Sequence, residues 1–109
     1  MTASLDLLQG TLDLLILKAL AAQPLHGYSV TRIIRERSGE AFLVEEGALY
    51  PALHRLERRR LIRSTWGLSE NNRKAKYYEL TTRGRAELKT ELETWQRYVE
   101  AVAGVLRPA

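Results

Sequence analysis

Between His54 and Lys76 the chain sets eight lysines and arginines against two acids, Glu57 and Glu70, a local charge of +6 in a protein whose total is +4. Met1 to Leu53, by contrast, sums to −2. Positive charge concentrated in this way is the electrostatic footprint of a polyanion binder, although a solvated basic face has the same composition. The cations fall into two clusters. "GALYPALHRLERRRLI", Gly47 to Ile62, sets Arg55, Arg58, Arg59 and Arg60 among leucines at helical spacing. "NNRKAK", Asn71 to Lys76, sets Arg73, Lys74 and Lys76 beside two amides. Guanidinium, ammonium and amide groups are the donors that hold phosphate oxygens, and an arginine in a narrow minor groove also reads its shape. Each cluster has a plainer use as well. An arginine run can end a helix by pairing with its last carbonyls, a role that suits Arg60, and lysines on a hairpin discourage edge-to-edge pairing.

Other chemistry has less support. His54 has no carboxylate or second histidine at ligand spacing, and His26 reads as a turn or cap residue, so no metal site is expected. The chain has no cysteine, which removes thiolate ligands, disulfides and a thiol nucleophile and suits a reducing interior. A glycine-rich phosphate loop and a nucleophile with a partnering base are both missing from the sequence, so neither an enzyme nor a cofactor is expected. Leu12 to Ala22 is the most apolar segment. Asp13 and Lys18 interrupt it, it is too short to cross a bilayer, and it lacks the basic lead-in and small-residue cleavage site of a signal peptide. The 109 residues and 45% hydrophobic content suit one small domain in the cytoplasm.

The elements that position the cations follow from periodicity. Leu5 to Ala22 carries apolar residues on more than one face, which predicts a helix buried on two sides. Pro24 ends it, and "LHGYSV" begins a short amphipathic helix with Tyr28, Val30, Ile33 and Ile34, stopping at Ser38-Gly39. Pro51 is expected in the first turn of a third helix that starts near Gly47, with Leu49, Ala52, Leu53 and Leu56 as its buried stripe. Gly47 is read as permitting a close turn there. From Leu61 the period becomes two, and Ile62 to Leu68 and Lys76 to Leu80 read as a hairpin with Asn71-Asn72 at its tip. Thr81 is the expected N-cap of a last helix whose Leu88, Leu92, Trp95, Val99, Val102 and Leu106 keep heptad steps over about 40 Å. Such a seam implies a second helix packed on it.

Three helices, then a hairpin, with both basic clusters in the third helix and the hairpin, is the order of a winged helix-turn-helix. The fold class expected is therefore mainly α with a small β-hairpin, residues 1–80 forming the DNA-binding domain and 81–109 a C-terminal dimerisation helix.

A resemblance sharpens this. "GTLDLLILKAL", "PLHGYSV", "EEGALYPALHRLERRRLI", "WGLSENNRKAKYYELTTRG" and "ETWQRYV" resemble, in order and over nearly the whole chain, the PadR family of winged-helix transcriptional regulators. The resemblance implies a homodimeric bacterial or archaeal repressor of the short subgroup, whose single C-terminal helix packs on the partner's first helix. Taken with the two basic clusters, it places Tyr28 and Ser29 of the second helix, Gly47, Ala48, Tyr50, Pro51, His54, Arg55 and Arg58 of the third, and Arg73, Lys74, Lys76 and Tyr77 of the wing against operator DNA. Leu8 and Leu15 join the seam residues Leu88, Leu92, Trp95, Val99, Val102 and Leu106 in the implied dimer interface. The wing departs from many relatives in having Asn71-Asn72 where they carry glycine, and in the acid at Glu79.

Some multidrug-sensing relatives carry a tryptophan matching Trp95, and two such indoles sandwich flat aromatic compounds. The resemblance thus implies a planar aromatic effector held by Trp95 with Leu7, Leu14 and Lys18 of the partner's first helix, through stacking and cation-π attraction. Core filling at the seam is the alternative role of Trp95. The alternative function is a protein-interaction module that uses the heptad helix and has no specific DNA binding. RNA binding has only the basic patch behind it.

Overall fold

The structure is a computed structural model that describes residues 7, 8 and 10–108. Its elements run α1 (Thr11–Ala19), β1 (Leu25–His26), α2 (Gly27–Arg37), α3 (Glu46–Arg58), β2 (Ile62–Leu68), β3 (Lys74–Leu80) and α4 (Thr82–Leu106). Three helices, a winged sheet and a long last helix are the architecture expected. None of the described helices is long and apolar enough to cross a membrane.

Helix α1 is shorter than its apolar pattern. Leu5 lies outside the described residues, and Gly10, at φ 86°, caps a start at Thr11. The helix ends before Ala22 because its last turn tightens, with the Ala21 amide bonding the Lys18 carbonyl at 3.1 Å. Leu25 and His26, expected as the beginning of a helix, form a two-residue strand against Tyr78 and Tyr77 of β3. His26 must be extended to act as N-cap of α2, where its Nδ1 accepts the Ser29 amide at 3.3 Å. That conformation lays it along the free edge of β3, giving an antiparallel sheet of order β1-β3-β2.

Two helices end in the same way. Gly39, at φ 64°, closes α2 with the Gly39 and Glu40 amides bonding the Glu36 and Arg35 carbonyls. Arg60, at φ 61°, closes α3 with the Arg60 and Leu61 amides bonding the Glu57 and Leu56 carbonyls. This paired pattern satisfies carbonyls that a helix end leaves free. Arg60 thus ends the helix through its backbone, not through the expected pairing of its side chain. Pro51 is the sixth residue of α3, past the expected first turn, and its missing donor leaves the Gly47 carbonyl without a helical bond on the exposed face. Gly47 is helical and faces open space, so no close turn requires it.

The core is built from Ile16, Leu17 and Leu20 of the first helical segment, Val30 and Ile34 of α2, Leu49, Leu53 and Leu56 of α3, and Ile62, Tyr78 and Leu80 of the sheet. Helix α4 is rooted in it. Thr81 accepts the Gly84 amide at 3.0 Å as N-cap and donates to the Arg60 carbonyl at 2.7 Å, tying the new helix to the end of α3. A Cβ on Gly84 would sit 1.9 Å from the Leu61 carbonyl oxygen, so only glycine lets α4 approach so closely. Leu88 is buried in this core, and from Glu93 onward every residue through Pro108 is exposed.

Candidate nucleic-acid interface

At 100° per residue, Gly47, Pro51, His54 and Arg58 fall on the side of α3 opposite its buried stripe, and all four are exposed. This outward row contains no acid. Ala48 is also exposed beside it, and Tyr50 lies half-exposed toward α2, its hydroxyl filling the space that Gly27 leaves open. Tyr28, at the start of α2, is largely exposed. Ser29, expected to face DNA, is buried, and its hydroxyl lies 3.2 Å from His26 Nε2 at the cap of α2.

The arginines divide by face. Arg55 donates to Asp13 of α1 at 2.8 Å and Arg59 to Glu87 of α4 at 3.3 Å, so both point along the back of α3 toward the other helices. Arg55, expected to face DNA, is here engaged by Asp13. Arg63 of β2 is paired with Glu79 across the sheet at 2.6 Å. Among the described residues, Arg58, Arg60, Arg73, Lys74 and Lys76 make no ion pair with an acid. The field that reaches solvent at the front of α3 and the wing therefore comes from a smaller set than the charge count suggests.

Hairpin register runs from Ile62 opposite Leu80 to Leu68 opposite Lys74. The turn closes through the Ser69 amide on the Arg73 carbonyl and the Asn72 amide on the Ser69 carbonyl, with Asn72 at φ 60°. Asn71, the other residue expected at the tip, is not in this left-handed conformation. Arg73 and Lys74 are exposed, and Lys76 is half-buried with its ammonium 5.9 Å from the Tyr78 ring. Tyr77 is half-buried, and its hydroxyl donates to the Leu68 carbonyl at 2.9 Å. That bond commits its polar end to the hairpin.

A second concavity lies where α4 leaves the core. Its volume is about 380 Å³, and Leu8, Leu14, Glu91, Trp95 and Tyr98 are among its walls. Trp95 and Tyr98 stack with centroids 6.1 Å apart. Leu14 and Trp95 come together here within one chain, whereas the family resemblance implies a pocket in which they belong to different subunits. Lys18 is elsewhere, on the rim of a separate groove between α1 and α2, and Leu7 is not in the wall. Oε2 of Glu91 is buried and has no hydrogen-bond partner among the described residues. Burial, then the charge of Glu87, holds its carboxyl above the ordinary glutamate range, with Arg59 opposing and Asp13 adding to the rise. Spacing alone could have found Glu91 and Tyr98, which stand four residues before and three after Trp95 on one helix face. Trp66, unassigned in the sequence reading, is exposed on the wing.

Of the expected seam, Leu88 is spent inside the chain and Leu92 and Leu15 pack half-buried against its core. Leu8, Trp95, Val99, Val102 and Leu106 remain exposed, and Tyr98 and Val105 extend the surface they form.

A helix presented outward beside a cationic hairpin defines the winged helix-turn-helix class. Solved structures similar to this chain have the same form. A transcriptional regulator from Clostridium thermocellum superposes with a TM-score of 0.82 at 28% identity, covering 91% of this chain and 96% of that one. A PadR family transcription regulator from Clostridium difficile gives 0.79 at 30% identity, covering 90% and 100%. Bacillus subtilis PadR in complex with operator DNA gives 0.68 at 28% identity, covering 80% of this chain and 48% of that one. Residues 16–90 match the model of the transcriptional regulator PadR-like family, and the chain belongs to that family.

Proposed function

We propose that the protein is a homodimeric, sequence-specific DNA-binding repressor that acts in the cytoplasm on operator DNA and has no catalytic activity of its own. The observation that carries this reading is the acid-free outward row of α3, Gly47, Pro51, His54 and Arg58, set beside Arg73 and Lys74 of the wing, which pair with no acid among the described residues. Residues up to 80 read the duplex, and the helix beyond pairs two copies through Trp95, Tyr98, Val99 and Val102. Two-fold pairing would present two recognition helices to two half-sites. A planar aromatic effector in the cavity beside Trp95 would release the operator, because α1 and α4 line that cavity and also hold the back of α3 through Asp13 and Glu87.

The test is selection of duplexes from a random pool by the full chain, followed by titration of the selected duplex over a range of salt. The reading expects selective binding whose affinity falls steeply with salt, by a species that sediments as a dimer. Salt-insensitive association with proteins and no selected duplex would instead support an interaction module.

A further inference from the structure

Trp66 and Leu68 are 62% and 66% exposed in the half of the wing that leaves the core. Strand alternation puts them on the face that carries Ile62 and Ser64. Ile62 is buried, and the Ser64 hydroxyl donates to Glu57 of α3 at 2.6 Å, so this face is the one turned toward the recognition helix. The indole therefore stands on the α3 side of the wing, beyond the reach of the core.

The hairpin does not depend on it for closure. On the opposite face, the Tyr77 ring covers Gly67, where a Cβ would lie 3.2 Å from the ring, and its hydroxyl binds the Leu68 carbonyl. Facing Trp66 and Leu68 across the register are Lys76 and Lys74, and the Lys74 ammonium is 5.0 Å from the indole. The strand acid Glu79 lies on the other face, engaged by Arg63. Two exposed apolar side chains framed by two ammonium groups match a partner that alternates anionic groups with apolar walls.

We propose that Trp66, with Leu68, is a DNA-contacting wedge that lies against the deoxyribose walls of the minor groove beside the site occupied by α3, while Lys74 and Lys76 hold the flanking phosphates. The inference rests on the DNA-binding reading above. Apolar side chains are used in this way by minor-groove binders, and a ring held on a hairpin loses little freedom on contact.

The test uses the full chain and a duplex that the wild type selects from a random pool. Trp66→Ala is expected to bind about tenfold more weakly with the same dependence on salt, because it removes an apolar contact and no cation. Trp66→Phe is expected to keep most of the affinity. Indole emission of the wild type shifts on adding the duplex, whereas Trp66→Phe, in which only Trp95 emits, stays silent. Equal affinity of Trp66→Ala and wild type, or a Trp66 signal that responds to protein concentration and not to DNA, overturns the wedge and assigns the face to a protein contact. A Trp66→Ala variant that also loses salt dependence has a disordered wing and likewise overturns it. Should the wild type select no duplex at all, the DNA reading itself fails, an outcome distinct from all of these.

Discussion

Single side chains with no apolar bulk do much of the positioning. Gly84 lies under the Leu61 carbonyl with no room for a methyl, so Gly84→Ala should cost about 1–3 kcal/mol or more by forcing α4 off the end of α3. Chemical denaturation reads this directly, and an unchanged midpoint would mean that α4 docks differently. Arg60 carries a Cβ in the left-handed region that glycine occupies without penalty, so Arg60→Gly should raise stability by up to about 1 kcal/mol. Glu91 gives a pH dependence of definite sign. Its folded-state pKa is raised, chiefly by burial, so the stability linked to its neutral form is complete at acid pH and is lost as pH rises through that value. Glu91→Gln should therefore melt higher than wild type at neutral pH, with the gap closing on acidification. A gap that stays constant with pH would show that the carboxyl is solvated.

At the scale of elements, α3 is held between two functions. Its back is fastened to α1 and α4 by Arg55–Asp13 and Arg59–Glu87, and its front is free. Arg58→Ala should weaken DNA binding and lower the salt slope by about one phosphate's worth. Arg55→Ala should instead cost about 1 kcal/mol of stability or less, as half-exposed ion pairs do, with the slope unchanged. Equal losses of slope in the two variants would mean that Arg55 leaves Asp13 when DNA binds. The wing divides similarly, with Tyr77 closing one face of its tip and Trp66 left open on the other.

At the scale of the molecule, a body of 58 × 37 × 22 Å carries a helix whose second half is exposed among the described residues. Tyr98, Val99, Val102, Val105 and Leu106 on that half are an apolar surface that a second copy would cover. Val102→Glu alters none of the core and should convert the proposed dimer to a monomer in sedimentation, with a steep loss of DNA affinity as one half-site is released. A variant that remains dimeric would move the interface off this part of α4.

Local order was legible from the residues themselves. Helical and alternating periods located three helices, a hairpin and a long last helix, and Thr81, His26 and Gly39 were readable as caps or stops because capping is decided by neighbours three or four residues away. The strand at Leu25–His26 was not, since it exists only through pairing with residues some fifty positions later. The same limit applies to the site. Composition located the basic segment, but which cations remain unpaired depended on Asp13, Glu87 and Glu79 arriving beside Arg55, Arg59 and Arg63 through packing. The heptad of α4 marked one continuous apolar stripe, and tertiary structure divided it, spending Leu88 on the core and leaving Val102 outside. A period states which residues share a face. What covers that face is set by contacts between parts of the chain that are far apart in sequence.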